Sequence, residues 1–274
     1  MDDPVNAPRV LITGAAGRIG RCLHRALTGR YPLLRLADRM QVVPLAASEE
    51  TVQGDLSDPA VADAAVRGID CIVHLAGVPT EAAWSSILPD NIVGTITLFE
   101  AARAAGVRRI VFASSNHAIG YRGAGETVGI DEPVRPDSRY GVSKVFGEAL
   151  GRMYVDKYAM TVVCLRIGSF REQPEDARQL VTWIGHRDMA ELARCAIEAP
   201  DPGFAIVYGI SANTRARWHG PDAARIGYAP TQDAERWAPQ LEALAPPASD
   251  PAARFHGGPY AAFEHVPTEG GQKR

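Results

Sequence analysis

The chain has 274 residues, 46% hydrophobic and 22% charged, enough to bury one large core without metals or staples. With 29 Lys+Arg against 32 Asp+Glu, its net charge of −3 gives no general attraction for nucleic acid or an anionic membrane, so a small-molecule partner is expected. Cys22, Cys71, Cys164 and Cys195 form no C-x-x-C pair, no apolar run reaches 18 residues, and "MDDPVNAPRV" lacks a basic segment leading an apolar one; reduced thiols, no metal and a cytoplasmic location are expected.

"RVLITG" predicts a first strand and "RIGRCLHRAL" a first helix, with Gly14, Gly17 and Gly20 between them in a G-x-x-G-x-x-G arrangement. Such glycines permit a tight turn and let backbone N–H groups, those of Arg18 and Ile19 nearest, approach a pyrophosphate at the helix N-terminus. The second strand, "LLRLAD", ends on Asp38, 18 residues past Gly20. A carboxylate there accepts both ribose hydroxyls of an adenosine and repels a 2′-phosphate, whereas Arg39 beside it could accommodate one; the balance favours NAD. After the third strand, "TVQGD", Asp55 and Leu56 are candidates for the adenine end, Asp55 either accepting from the adenine amine or serving the start of the helix "DPAVADAAV".

"DCIVHLAG" predicts a fourth strand, "NIVGTITLFEAARAAG" a helix, and "RRIVFASS" a fifth strand that delivers Ser115 to its carboxyl end, followed by Asn116 and His117. In the helix "RYGVSKVFGEALGRMYVDKY", Tyr140 and Lys144 are four apart and face the same way. With eight Tyr and three Lys in the chain, this spacing arises by chance only about 0.1 times. The ammonium is expected to depress the phenol's pKa from about 10 toward neutrality, giving a general base. "TVVCLRIG" is a sixth strand. Continuous apolar strands alternating with helices predict an α/β fold, a doubly wound parallel sheet of Rossmann type. Beyond Gly168 come a polar stretch, an amphipathic helix "HRDMAELARCAIEA", a further strand "GFAIVYGIS" and, from Ala238, a Pro- and Ala-rich tail that reads as a loosely packed arm. We expect residues 1–167 to form the dinucleotide-binding domain and 168–274 a small substrate cap and arm, packed as one unit.

The glycine loop, Asp38, "HLAG", "NIVGT", the serine stretch and "YGVSK", in that order over nearly the whole chain, resemble the extended short-chain dehydrogenase/reductase superfamily. The resemblance implies that Leu75, Ala76 and Gly77 line the nicotinamide ribose, that Asn91 supports the active-site helix beside the cofactor, and that the chain forms a homo-oligomer. Only about 105 residues follow the sixth strand, which argues for a small substrate. "FASSNHAIGY", the Tyr–Lys helix and "LRIGSF" with an arginine nine residues after its serine resemble the uronate dehydrogenases, which oxidise the anomeric carbon of a hexuronic acid to an aldarolactone with NAD. That resemblance implies Tyr140 as base for the C1 hydroxyl, Ser115 and Asn116 orienting its oxygen, Lys144 holding the ribose, His117 and Ser169 on sugar hydroxyls, and Arg178 clamping the C6 carboxylate.

Taken without the resemblance, His117 also reads as a satisfied loop histidine and Arg178 as a solvated residue, with Arg166 and Arg171 as rival clamps. Where the family carries a substrate-touching serine after "HL-x-G", this chain has Pro79, so that contact is lost or shifts to Thr80. An NAD-dependent epimerase or dehydratase of the same superfamily is the alternative activity. A non-catalytic NAD sensor is a third, usually marked by loss of the tyrosine or lysine.

Overall fold

The computed structural model describes residues 7–266; the ends of the N-terminal stretch and of the tail lie outside the described residues. The chain runs β1 (Val10–Thr13), α1 (Arg18–Leu27), β2 (Leu34–Asp38), β3 (Glu49–Gln53), α2 (Pro59–Val66) and β4 (Cys71–His74). Then follow α3 (Trp84–Ile87), a π-helical turn (Leu88–Val93), α4 (Gly94–Ala104), β5 (Arg109–Ser115), a 3-10 turn (Asn116–Ile119), α5 (Arg139–Tyr158) and β6 (Thr161–Ile167). The last part holds β7 (Ser169–Phe170), α6 (Gln179–Thr182), β8 (Trp183–Ile184), α7 (His186–Glu198), β9 (Phe204–Gly209) and four short helices, α8 (Asp222–Arg225), α9 (Ala238–Glu242), α10 (Pro251–Arg254) and α11 (Pro259–Ala262).

Among the described residues seven strands pair in the order β3-β2-β1-β4-β5-β6-β9, all parallel. β1 is apolar on both faces over Val10, Leu11 and Ile12 because helices cover both. Val10 and Ile12 pack with α1 and α7 on one side, Leu11 with α2 and α4 on the other. The order reverses between β1 and β4, so the crevice at their carboxyl ends is the topological switch point where such sheets bind ligands. β9 comes from the part after Gly168 and completes the sheet beside β6; β7 and β8 pair separately.

α5 begins at Ser138, whose hydroxyl accepts from Gly141 N. Gly147 lets this helix lie against β5, since a Cβ there would occupy the Phe112 ring. Two expectations are corrected. The helix expected from Asn91 starts regular winding only at Gly94, after a π turn that re-aims Asp90 and Asn91. The tail is not loose: Ala238 and Leu241 are buried against Leu180 and Trp183, and His256 and Ala261 are buried as well.

Candidate active site

The carboxyl ends of the central strands open into one cavity of about 740 Å3, within the range of small-molecule and cofactor sites. At its floor the chain leaves β1 through Gly14, in left-handed conformation (φ 68°), where a Cβ would lie 2.8 Å from the Leu75 and Ala76 backbone. Gly17, Arg18, Ile19 and Gly20 line the cavity, and no side chain caps α1, so its first amides and the positive end of its dipole are available to an anion. Asp38 stands at the tip of β2, its Oδ2 accepting from Ala16 N and its Oδ1 from Met40 N, each at 2.9 Å. Asp55 and Leu56 line the same end. The Ser57 amide, 2.9 Å away, holds the Asp55 carboxyl below its usual pKa, and the cap of α2 is instead Asp58. Leu75, Ala76 and Gly77 form the wall above β4. Beneath them His74, bonded to Thr13 and Thr95, is driven by burial to a pKa of about 3 and stays neutral. A glycine turn with open amides, a fixed carboxylate one strand away and an apolar wall fit a dinucleotide.

Further along the cavity Ser115, Asn116, His117, Tyr140, Lys144, Ser169 and Arg178 converge. Ser115 ends β5 and its hydroxyl accepts from His117 N (3.2 Å). Burial pushes the Tyr140 phenol above its ordinary pKa, with Ser115 pulling it back. Lys144 Nζ lies 5.3 Å from the Tyr140 ring centroid, no carboxylate pairs with it among the described residues, and burial lowers it to about 8. The lowering of the phenol expected from Lys144 is not seen: burial raises it, and Lys144 is not among the groups that shift it. The Asn116 Nδ2 is buried without a partner. His117 Nδ1 lies 2.8 Å from Asp137 Oδ2, which orients the ring and leaves Nε2 uncommitted.

Arg178, like Lys144, brings the cavity a charge with no carboxylate partner among the described residues. Its Nη1 donates to the His256 carbonyl (3.1 Å) and its Nη2 to Ser169 Oγ (3.2 Å); Nε is buried with no partner, and among the described residues no carboxylate pairs with it. Burial lowers its pKa. A half-buried guanidinium without a counter-ion, at the far side from the glycine turn, is a receptor for an anion. Its rivals are spent. Arg166 is fully buried and makes two 2.9 Å bonds to Glu148, and Arg171 pairs with Glu175 at 2.8 Å.

Two predicted residues do not reach the cavity. Thr80 is exposed and Pro79 lines the wall in its stead. Asn91 stands behind that wall, its Oδ1 accepting from Val78 N (2.7 Å) and its Nδ2 donating to Ser143 Oγ (3.0 Å), so it braces the wall against α5. The sequence reading missed Tyr260, which stacks on His117 at 4.0 Å between ring centroids and lines the cavity. It also missed Glu81, whose carboxylate accepts from Tyr140 N (2.9 Å) and from Arg139 Nη1 (2.7 Å). Neither carries a local motif; the "GGP" ahead of Tyr260 is the one mark of a fixed turn there.

Residues 10–184 match the NAD dependent epimerase/dehydratase family. The chain is 42% identical over 255 residues to a uronate dehydrogenase of Pseudomonas putida, covering 92% of this chain and 95% of that protein. It resembles a crystal structure of uronate dehydrogenase from Agrobacterium tumefaciens, a tyrosine-to-alanine mutant complexed with NAD, with TM-score 0.88, 43% identity and coverage of 92% and 96% of the two chains. It also resembles a crystal structure of glucuronic acid dehydrogenase from Chromohalobacter salexigens, with TM-score 0.89, 40% identity and coverage of 93% and 97%.

Proposed function

We propose that this chain, which belongs to the NAD dependent epimerase/dehydratase family, oxidises the anomeric C1 hydroxyl of a hexuronic acid, glucuronate or galacturonate, to an aldarolactone with NAD. The observation that carries the reading is Arg178, a cavity arginine with no carboxylate partner among the described residues, in the same cavity as Tyr140 and Lys144. A neutral sugar has no use for that charge; a uronate brings the missing carboxylate.

Bound NAD, held by the Gly14–Gly20 turn, Asp38, Asp55 and the Leu75–Gly77 wall, supplies the hydride acceptor. Tyr140 takes the proton of the C1 hydroxyl, Ser115 and Asn116 fix the oxygen that loses it, and Lys144 holds a ribose hydroxyl while its charge favours the phenolate. The orphaned Asn116 Nδ2 supports a polar ligand at that point. His117 and Ser169 take sugar hydroxyls, and Arg178 grips the carboxylate through two N–H groups. Residues 1–167 carry the cofactor, while 168–274 add Ser169, Arg178 and the arm as part of one unit.

A homo-oligomer is supported by the exposed apolar residues Trp84, Leu88, Val93, Ile96, Val142 and Met153 on and around α3, α4 and α5. A cytoplasmic location accords with four free cysteines and, among the described residues, with no helix long and apolar enough to cross a membrane. The test of the function is a panel of uronates, neutral sugars and sugar phosphates assayed for reduced nicotinamide with NAD and with NADP. Uronate-dependent reduction of NAD supports the reading. Tightly held cofactor with no net reduction on any uronate favours the epimerase or dehydratase activity instead.

A further inference from the structure

We propose that Asp90, together with Asp55, makes the site specific for NAD by occupying Arg39, the side chain that would otherwise bind a 2′-phosphate. The inference rests on the dinucleotide reading above and adds what excludes NADP. Arg39 follows Asp38 at the tip of β2, where an arginine accommodates that phosphate. Both of its terminal nitrogens are already engaged: Nη1 donates to Asp90 Oδ2 at 2.9 Å and Nη2 to Asp90 Oδ1 at 2.6 Å, and Nη2 lies 2.8 Å from Asp55 Oδ2. Gln53 Nε2 donates to the Arg39 carbonyl at 3.1 Å and pins its backbone.

Asp38, Arg39, Asp55 and Asp90 line one end of the cavity, three carboxylates to one guanidinium. A 2′-phosphate there has to displace a two-pronged carboxylate and then sit among like charges. Asp90 can do this because the π turn before α4 carries it across to β2; its side chain is 18% exposed, against 53% for Arg39, so it is the fixed member of the pair. Free in sequence, Arg39 argues for NADP; paired, it argues against it.

Calorimetric titration of the whole protein with NAD and with NADP tests this in the wild type, Asp90→Ala, and Asp90→Ala combined with Arg39→Ala. Asp90→Ala is expected to raise NADP affinity relative to NAD by about tenfold, and Arg39→Ala on that background to remove most of the gain. An unchanged ratio in Asp90→Ala overturns the proposal. So does a gain that survives Arg39→Ala, because loss of one repulsive charge would then explain it without the arginine. Should Asp90→Ala fail to fold, Asp90→Asn keeps the shape, removes the charge and is read in the same way. If the wild type binds neither dinucleotide, it is the dinucleotide reading that fails.

Discussion

Burial acts on Tyr140 and Lys144 in opposite directions, raising the phenol and lowering the ammonium to about 8. A charged ammonium beside the phenol favours its ionised form. Oxidation needs the phenol ionised, so that it can take the proton of the hydroxyl, and kcat/KM should therefore rise with pH and level off once the phenol has ionised. Lys144→Met, which removes the charge favouring phenolate, should move the midpoint to higher pH; an unmoved midpoint in a pH–rate series would show that the lysine does not tune the tyrosine. Arg178→Ala should raise KM for the uronate about 100-fold, the loss of roughly 3 kcal/mol of charged hydrogen bonding, with NAD affinity within about threefold. Arg178→Met removes a buried charge together with its bonds to the His256 carbonyl and Ser169 Oγ, so its melting temperature should stay close to that of the wild type, which a thermal melt checks. Tyr140 and Lys144 stood out in the sequence because chemistry on one helix face follows local spacing, whereas Arg178 came only from the resemblance to the uronate dehydrogenases. What was illegible was whether each was already paired: Arg166 and Arg171 look as eligible as Arg178 until Glu148 and Glu175 are seen beside them.

Elements differ in how far local pattern could reveal them. Strands β1 to β6 and helices α1, α2 and α5 stand where apolar runs and helical periodicity put them, since each buries a face its own sequence defines. The arm was misread because its contacts are long-range: Ala238 and Leu241 meet Trp183, and Tyr260 meets His117, none of which a Pro- and Ala-rich composition reveals. Glu81 links three elements at once, accepting from the second amide of α5 and from Arg139, which also pairs with Glu264 of the arm at 3.0 Å. Glu81→Ala is expected to lower kcat about tenfold and stability by about 1 kcal/mol, the usual worth of a helix N-terminal acceptor. Glu81→Gln, which keeps an acceptor oxygen, should recover most of both. Equal loss in the two variants would mean that charge, not placement of Tyr140, is what Glu81 provides.

At the scale of the molecule, a parallel sheet with its switch point between β1 and β4 puts a glycine turn, Asp38 and the Tyr140 helix around one cavity, so a ligand spanning them should stabilise the whole fold. NAD at about 100 times its Kd should add about 2.7 kcal/mol to unfolding, and NADP at the same concentration much less. The exposed apolar residues of α3, α4 and α5 should be covered in solution, so light scattering is expected to return a mass above that of one chain. We propose the Tyr140 phenol as the base for the anomeric hydroxyl of a uronate, with NAD as acceptor. The most direct test is reduced nicotinamide formed from glucuronate and galacturonate by the wild type and by Tyr140→Phe, with NAD binding measured on both. The expected result is steady formation by the wild type, a loss of at least about 100-fold in the variant, and similar NAD affinity; a variant that keeps most of its rate, or a wild type inert toward every uronate, would contradict it.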